Sequence, residues 1–390
     1  MEIKKSASLL LLSLLLSSCK SSVLKAEVSD YVTSINLFEN QDEVKILQLT
    51  DLHWSFATNF DREKNYLTKL VEITDPDIIM TTGDNILSGT TKTVDKLLET
   101  LNSFKNSKGR DVYFGITFGN HDRQGVYDKD YFDNKAISYT SQTSYFVSNN
   151  YKYHGLYRHP NNSQIFGRSN YAVNLTDGND VIWQLYALDS GSDYFNGKTY
   201  DYDVIHEDQI NWFKEVSNNY KKEDKAVNSL AFFHIPLYET AFAYDNANRP
   251  NNKTIVAGDF GGELKEPSSN IVGLKEYNLV SDQVYVGYKN THFFDAAKES
   301  NVKGMFYGHD HLNDFWALYD DKSYFDTSTN SVVNPNGTDD DILLAYGVKT
   351  GDGLSCDSNK IGGNLITIHK DGSFNGREGS NDFKHVYLKY

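Results

Sequence analysis

Only two cysteines, Cys19 and Cys356, occur in the 390 residues, too few for a disulfide framework. Positive charge is also short. The formal net charge is −15, and such a surface repels polyanions. Tight electrostatic binding to duplex DNA is disfavoured, and no stable nucleic-acid partner is expected. A small phosphorylated substrate stays open, because bound cations can reverse the field locally. Apolar residues make up 39% of the chain, below the usual soluble average. Much of that fraction is 27 Tyr, 22 Phe and 4 Trp, a composition that goes with broad polar surfaces and long loops. No internal repeat is visible. After the first twenty residues no apolar run is long enough to cross a bilayer. The length fits one large core.

The N-terminus is different. Lys4 and Lys5 precede a short apolar stretch, Leu9 to Leu16, which is too short to span a membrane. Leu16-Ser17-Ser18-Cys19 then resembles the lipobox of bacterial lipoproteins. That resemblance implies cleavage before Cys19 and a lipid on Cys19. The soluble part would be exported and held at the outer face of the cell membrane. An ordinary secretory signal with an incidental cysteine would instead give a secreted protein. Residues 1–18 are thus expected to be a signal peptide and 19–42 a lipidated tether, with a short strand near Ser34–Phe38. Residues 43–390 are expected to form a single domain, and Cys356 to be a lone thiol.

From Val44 onward, strand-length apolar runs alternate with helical patterns. Val44–Thr50 predicts a buried strand. A helix over Arg62–Ile73 follows, stopped by Pro76. Asp77–Thr82 predicts a strand, Val94–Phe104 a helix and Val112–Phe118 a third strand. This rhythm calls for parallel strands covered by helices. Further strands are expected at Tyr171–Leu175, Val181–Leu188, Leu230–His234, Lys303–Tyr307, Asp314–Tyr319, Ile342–Tyr346 and Asn364–His369. Helices are expected at Glu207–Tyr220 and Thr291–Ser300. Residues 236–290 read as a long irregular insertion.

The informative residues follow five of these strands. They are Asp51-Leu52-His53, Gly83-Asp84-Asn85, Gly119-Asn120-His121-Asp122, His234, and Gly308-His309-Asp310-His311. Taken singly, Asp-x-His is an ordinary surface-loop pattern, Gly-Asn favours turns, and one histidine is more often a core residue. Taken together they put ligand-type side chains at five consecutive strand exits. Those exits are where α/β sheets bind ligands. Mixed carboxylate and imidazole donors suit Mn, Fe or Zn better than Ca or Mg. An Asp between two ions can bridge them. Two divalent cations against two carboxylates leave a local charge of about +2, which attracts a phosphate.

At this point the chain resembles the calcineurin-like metallophosphoesterases, whose ordered signature is D-x-H, G-D, G-N-H-D/E, H and G-H-x-H. The stretches LYALDSG, QINWF, HIPLYE and GHDHLNDF are similar to the purple-acid-phosphatase-like subgroup. The resemblance implies a four-layer α-β-β-α sandwich. It further implies two divalent or trivalent transition-metal ions (Mn, Fe or Zn). Asp51, His53 and His311 would hold one, and Asn120, His234 and His309 the other, with Asp84 bridging. His121 would face the substrate, Asp122 would orient it, and Asn120 would touch the phosphate; Arg123, which follows this block, could reach a phosphate too, although a solvated loop arginine fits its position as well. The reaction implied is phosphate-ester hydrolysis by a metal-activated hydroxide. The family acts on monoesters and diesters and the five blocks do not separate them; a monoester is favoured here. Leu87 stands where true purple acid phosphatases carry a metal-binding Tyr, so no tyrosinate colour is expected. The competing reading is a non-catalytic metal- or ligand-binding surface lipoprotein on the same fold.

Overall fold

Glu43–Leu49 lies at the centre of the first sheet because its apolar residues face both ways, toward helices on one side and a second sheet on the other. It pairs in parallel with Ile78–Thr82, which pairs in parallel with Tyr113–Thr117. On its other side it runs antiparallel to Gly362–His369, itself antiparallel to Phe383–Tyr387. The structure, a computed structural model, describes residues 26–125, 129–140, 153–248, 284–320, 341–354, 356–377 and 379–389, with five short strands between Val256 and Val333.

The second sheet has eight strands in the order Val32–Ile35, Tyr171–Asp177, Asp180–Ala187, Asn228–Phe232, Val302–Tyr307, Ile342–Tyr346, Trp316–Tyr319 and Leu274–Tyr277. Its middle strands, from Asp180–Ala187 to Ile342–Tyr346, are parallel. Alternation along a strand separates its two faces. Phe306 joins the core between the sheets, whereas Met305 and Tyr307 join the core on the outer face.

Helices Phe60–Thr74 and Thr91–Leu101 bury Leu67, Leu70, Leu97 and Leu98 against the first sheet. Helices Glu207–Asn219 and Phe293–Glu299 bury Ile210, Phe213, Phe293 and Phe294 against the second. The result is the expected four-layer α-β-β-α sandwich.

Three expectations are corrected. First, residues 28–38 are not a tether. Val32–Ile35 pairs in parallel with residues 172–175, Phe38 is fully buried, and Tyr31 packs 5.6 Å from Trp212. The domain therefore starts upstream of Val44, while Cys19 and residues 1–25 lie outside the described residues. Second, the segment read as an irregular insertion opens with a helix, Tyr238–Asn248, and contributes the edge strand Leu274–Tyr277. Third, a strand follows the one expected to be last, since Phe383–Tyr387 closes the first sheet.

Glu239, in the first turn of that unforeseen helix, accepts a hydrogen bond from Asn290 Nδ2 at 3.0 Å. Burial pushes its carboxyl up to about 7. An unfolded Glu loses its proton near pH 4.5, whereas the folded one holds it to about 7. The unfolded state therefore binds fewer protons in that window, and this group's contribution to stability falls as pH rises through it. Glu239→Gln keeps an acceptor for Asn290 and has nothing to titrate. The variant should match wild type at pH 4 and exceed it by roughly 3 kcal/mol at pH 8. Thermal melts at both pH values check this, and an equal gap at the two would refute it.

Candidate metal centre

All five ligand blocks lie at one end of the sandwich. Three follow parallel strands of the first sheet and two follow parallel strands of the second. The backbone there is strained to aim the side chains. Asp51, His53, Asp84 and His309 have φ of 52°, 50°, 49° and 83°, a region that side chains other than glycine rarely adopt.

The glycines that precede the ligands have a steric reason. A Cβ on Gly83 would sit 2.5 Å from the His234 ring, and one on Gly308 would sit 1.9 Å from Thr50 Oγ1. The backbone must pass that close for Asp84 and His309 to reach the centre.

The side chains fall into two donor sets. In the first, the ligand atoms of Asp51, His53, Asp84 and His311 all lie within 4.8 Å of one another. His53 Nε2 is 2.9 Å from His311 Nε2 and 3.6 Å from Asp51 Oδ1, and His311 Nε2 is 3.4 Å from the same oxygen. In the second, Asn120 Oδ1 is 3.0 Å from His234 Nε2 and 3.1 Å from His309 Nδ1. The sets share one atom. Asp84 Oδ2 lies 3.6 Å from His53 Nε2 and 3.2 Å from His234 Nε2.

The surroundings leave these atoms free for a cation. Asp51 Oδ1 is buried without a hydrogen-bond partner. Asp51 Oδ2, by contrast, accepts from Thr50 Oγ1 and from the His309 amide. His234 Nδ1 sits 2.7 Å from the Thr82 carbonyl, so it donates there and Nε2 is the nitrogen turned to the centre. Burial holds His53 down to about 4 and His309 down to about 3, so both are neutral donors at pH 7. Burial alone would lift Asp84, but the neighbouring imidazoles, chiefly His234, hold it below the usual carboxylate range. Burial would likewise lower His234, yet Asp84 and Asp51 raise it to about 9. Asp84 and His234 thus hold a proton between them where a metal would compete for the same atoms.

His121 is at the rim, with its side chain 27% exposed and Nε2 3.9 Å from Asp84 Oδ2. Its amide donates to Asp84 Oδ1 at 2.8 Å. Its Nδ1 lies 2.7 Å from Gln124 Oε1. The two residues after His121 have partners of their own. The Asp122 carboxylate accepts from the amides of Gly119 and Ile86 and from Asn85 Nδ2, so it ties two ligand loops together while Gln124 faces the His121 ring. Arg123 donates from Nη2 to buried Asp189 at 2.6 Å, which ties one end of the guanidinium to a carboxylate.

Lys349 belongs to the Gly347–Gly353 loop, whose composition suggests an approach to the site. It is 3% exposed, and its Nζ donates to the Asp51 carbonyl at 2.8 Å. Thr350 bonds to Thr50 through both its amide and its hydroxyl. Residues 347–351 therefore strap the Asp51–His53 loop in place.

A two-sheet sandwich that gathers four imidazoles, two carboxylates and a carboxamide at one end defines a class, the metallophosphoesterase fold. Within it, the chain belongs to the calcineurin-like phosphoesterase family, whose family model matches residues 44–313. Its curated relatives include two Arabidopsis thaliana proteins. "Probable inactive purple acid phosphatase 28" is 26% identical over 308 residues, 71% of this chain and 68% of that protein. "Probable inactive purple acid phosphatase 14" is 24% identical over 311 residues, 72% of this chain and 68% of that protein. Among solved structures, "GAP50 the anchor in the inner membrane complex of Plasmodium" aligns with a TM-score of 0.44 at 12% identity, over 90% of each chain.

Proposed function

We propose that the chain is a dinuclear metal-dependent phosphoesterase that hydrolyses phosphomonoesters in preference to diesters. The observation that carries this reading is the pair of donor sets meeting at Asp84 Oδ2. Asp51, His53 and His311 would hold one ion, and Asn120, His234 and His309 the other, with Asp84 common to both. Mixed carboxylate, imidazole and amide donors suit Mn, Fe or Zn. Once bound, such a pair polarises phosphoryl oxygens and makes hydroxide available near neutral pH. Neutral His53 and His309 offer lone pairs without first losing a proton. His121 faces the substrate from the rim. Lys349 and Thr350 hold the Asp51–His53 loop in its strained conformation.

Export and a lipid on Cys19 belong to the same proposal and rest on the Leu16–Cys19 motif. A protein so placed would meet small phosphorylated compounds outside the cell.

The plant relatives carry the word "inactive" in their names, which favours a second reading, a metal-binding module without turnover. Against it, every block of the ligand signature and His121 are present in this chain. Metal analysis combined with p-nitrophenyl phosphate turnover separates the two. Two bound transition metals with turnover are expected. Two metals without turnover of any ester would establish the binding module instead.

A further inference from the structure

A short hairpin beside the second donor set has no part in the proposal so far. Asp193–Phe195 pairs antiparallel with Tyr200–Tyr202, in the register Asp193 to Tyr202 and Phe195 to Tyr200. Directly paired residues share a face, so Tyr202, Tyr200 and Phe195 lie on one side, with Tyr194 on the other. The Tyr194 side is clamped to the body. Its ring stacks on Tyr288 at 3.7 Å and 8°, and the Tyr288 amide donates to the Tyr202 carbonyl. On the open side, the Tyr202 ring meets the His309 ring edge-on at 4.1 Å. Two residues further out, roughly 7 Å along the strand, come Phe195 and Tyr200. Their rings are 4.8 Å apart, and the residues are 53% and 55% exposed.

The turn that presents this pair is rigid. Asn196 Oδ1 accepts from the amides of Lys198 and Thr199, and Gly197 takes φ of 89°. The exposed halves of these rings gain nothing from folding. Held in contact on a braced turn beside a metal ligand, they offer flat π-faces to a ligand already anchored at the centre.

We propose that Phe195 and Tyr200 form a stacking subsite for the leaving group of the substrate. The substrate would be a phosphate ester that carries a flat ring about one sugar unit from phosphorus, as a nucleotide does. This rests on the phosphoesterase reading above.

The test compares adenosine 5′-monophosphate, phenyl phosphate and glycerol phosphate on the metal-loaded protein, with adenosine binding followed by calorimetry. In the Phe195→Ala/Tyr200→Ala variant, the kcat/KM ratio of the nucleotide to glycerol phosphate should fall by about 5- to 150-fold, the range of one stacked base. Adenosine affinity should weaken by a similar factor. The ring-preserving Phe195→Tyr/Tyr200→Phe variant should recover both. A fall for phenyl phosphate alone would put the ring directly on the phosphate and overturn the spacer. A ratio and an adenosine affinity that both move less than twofold would overturn the subsite and leave the phosphoesterase intact. If wild type hydrolysed no ester at all, the phosphoesterase reading would fail first. The adenosine titration would then judge the hairpin by itself, with equal affinity for wild type and variant counting against it.

Discussion

Asp84→Asn is expected to strip both metals together and to lower ester turnover by at least about three powers of ten, since each cation supplies several kcal/mol to the transition state. The reason is the shared oxygen. Asp84 Oδ2 faces His53 Nε2 in one donor set and His234 Nε2 in the other. Asn keeps the shape but removes the charge that both ions would divide. It also leaves His234 without the carboxylate that raises it. Metal content after dialysis should fall from two per chain toward none, with both sites weakening in step. Asp51→Asn is the control, because Asp51 Oδ1 belongs only to the His53–His311 set. It should empty that set and spare the other. Loss of one metal alone from Asp84→Asn would show that the carboxylate is not shared.

The five blocks were legible because each carries a local cause. An apolar strand ends and a ligand-type side chain follows, with a glycine between them in three of the five blocks. What decides their meeting is not local. The strands divide between two sheets, three in one and two in the other, and Glu43–Leu49 reaches its antiparallel partner only at Gly362–His369. No period in the sequence separates a strand of one sheet from a strand of the other, so convergence within a single sheet and convergence between two looked alike.

Other features were hidden for different physical reasons. The helix Tyr238–Asn248 mixes aromatic, small and polar residues with no clear stripe, and it follows a proline. Residues 28–38 lie within a polar, patternless stretch, 20–42, yet they bury Tyr31 and Phe38 by adding a strand to an edge. Lys349 lies among glycine and threonine, a composition that suggests an approach to the site but names no contact. It is buried because Gly351 lets the chain pass so close that a Cβ there would be 2.0 Å from the Leu52 carbonyl oxygen. The hairpin Asp193–Tyr202 has strands of three residues, too short for any alternation to register.

His121 tests the reading from the substrate side. Gln124 Oε1 lies 2.7 Å from His121 Nδ1, so that nitrogen donates and Nε2 is left to face the centre from the rim. No atom of the ring belongs to either donor set. His121→Ala should therefore keep both metals and lose about 10²–10⁴ in kcat/KM, the usual worth of a positioned acid. The leaving group then separates two ways of producing that loss. A proton donor matters most when the departing oxygen is strongly basic, so an alkyl phosphate should suffer more than p-nitrophenyl phosphate. If the ring serves only to neutralise the phosphoryl oxygens, both esters should lose the same factor. Gln124→Ala, which frees the ring without removing it, should give a smaller loss in the same order of esters. Full activity of His121→Ala, with two metals bound, would leave the imidazole no part in the reaction.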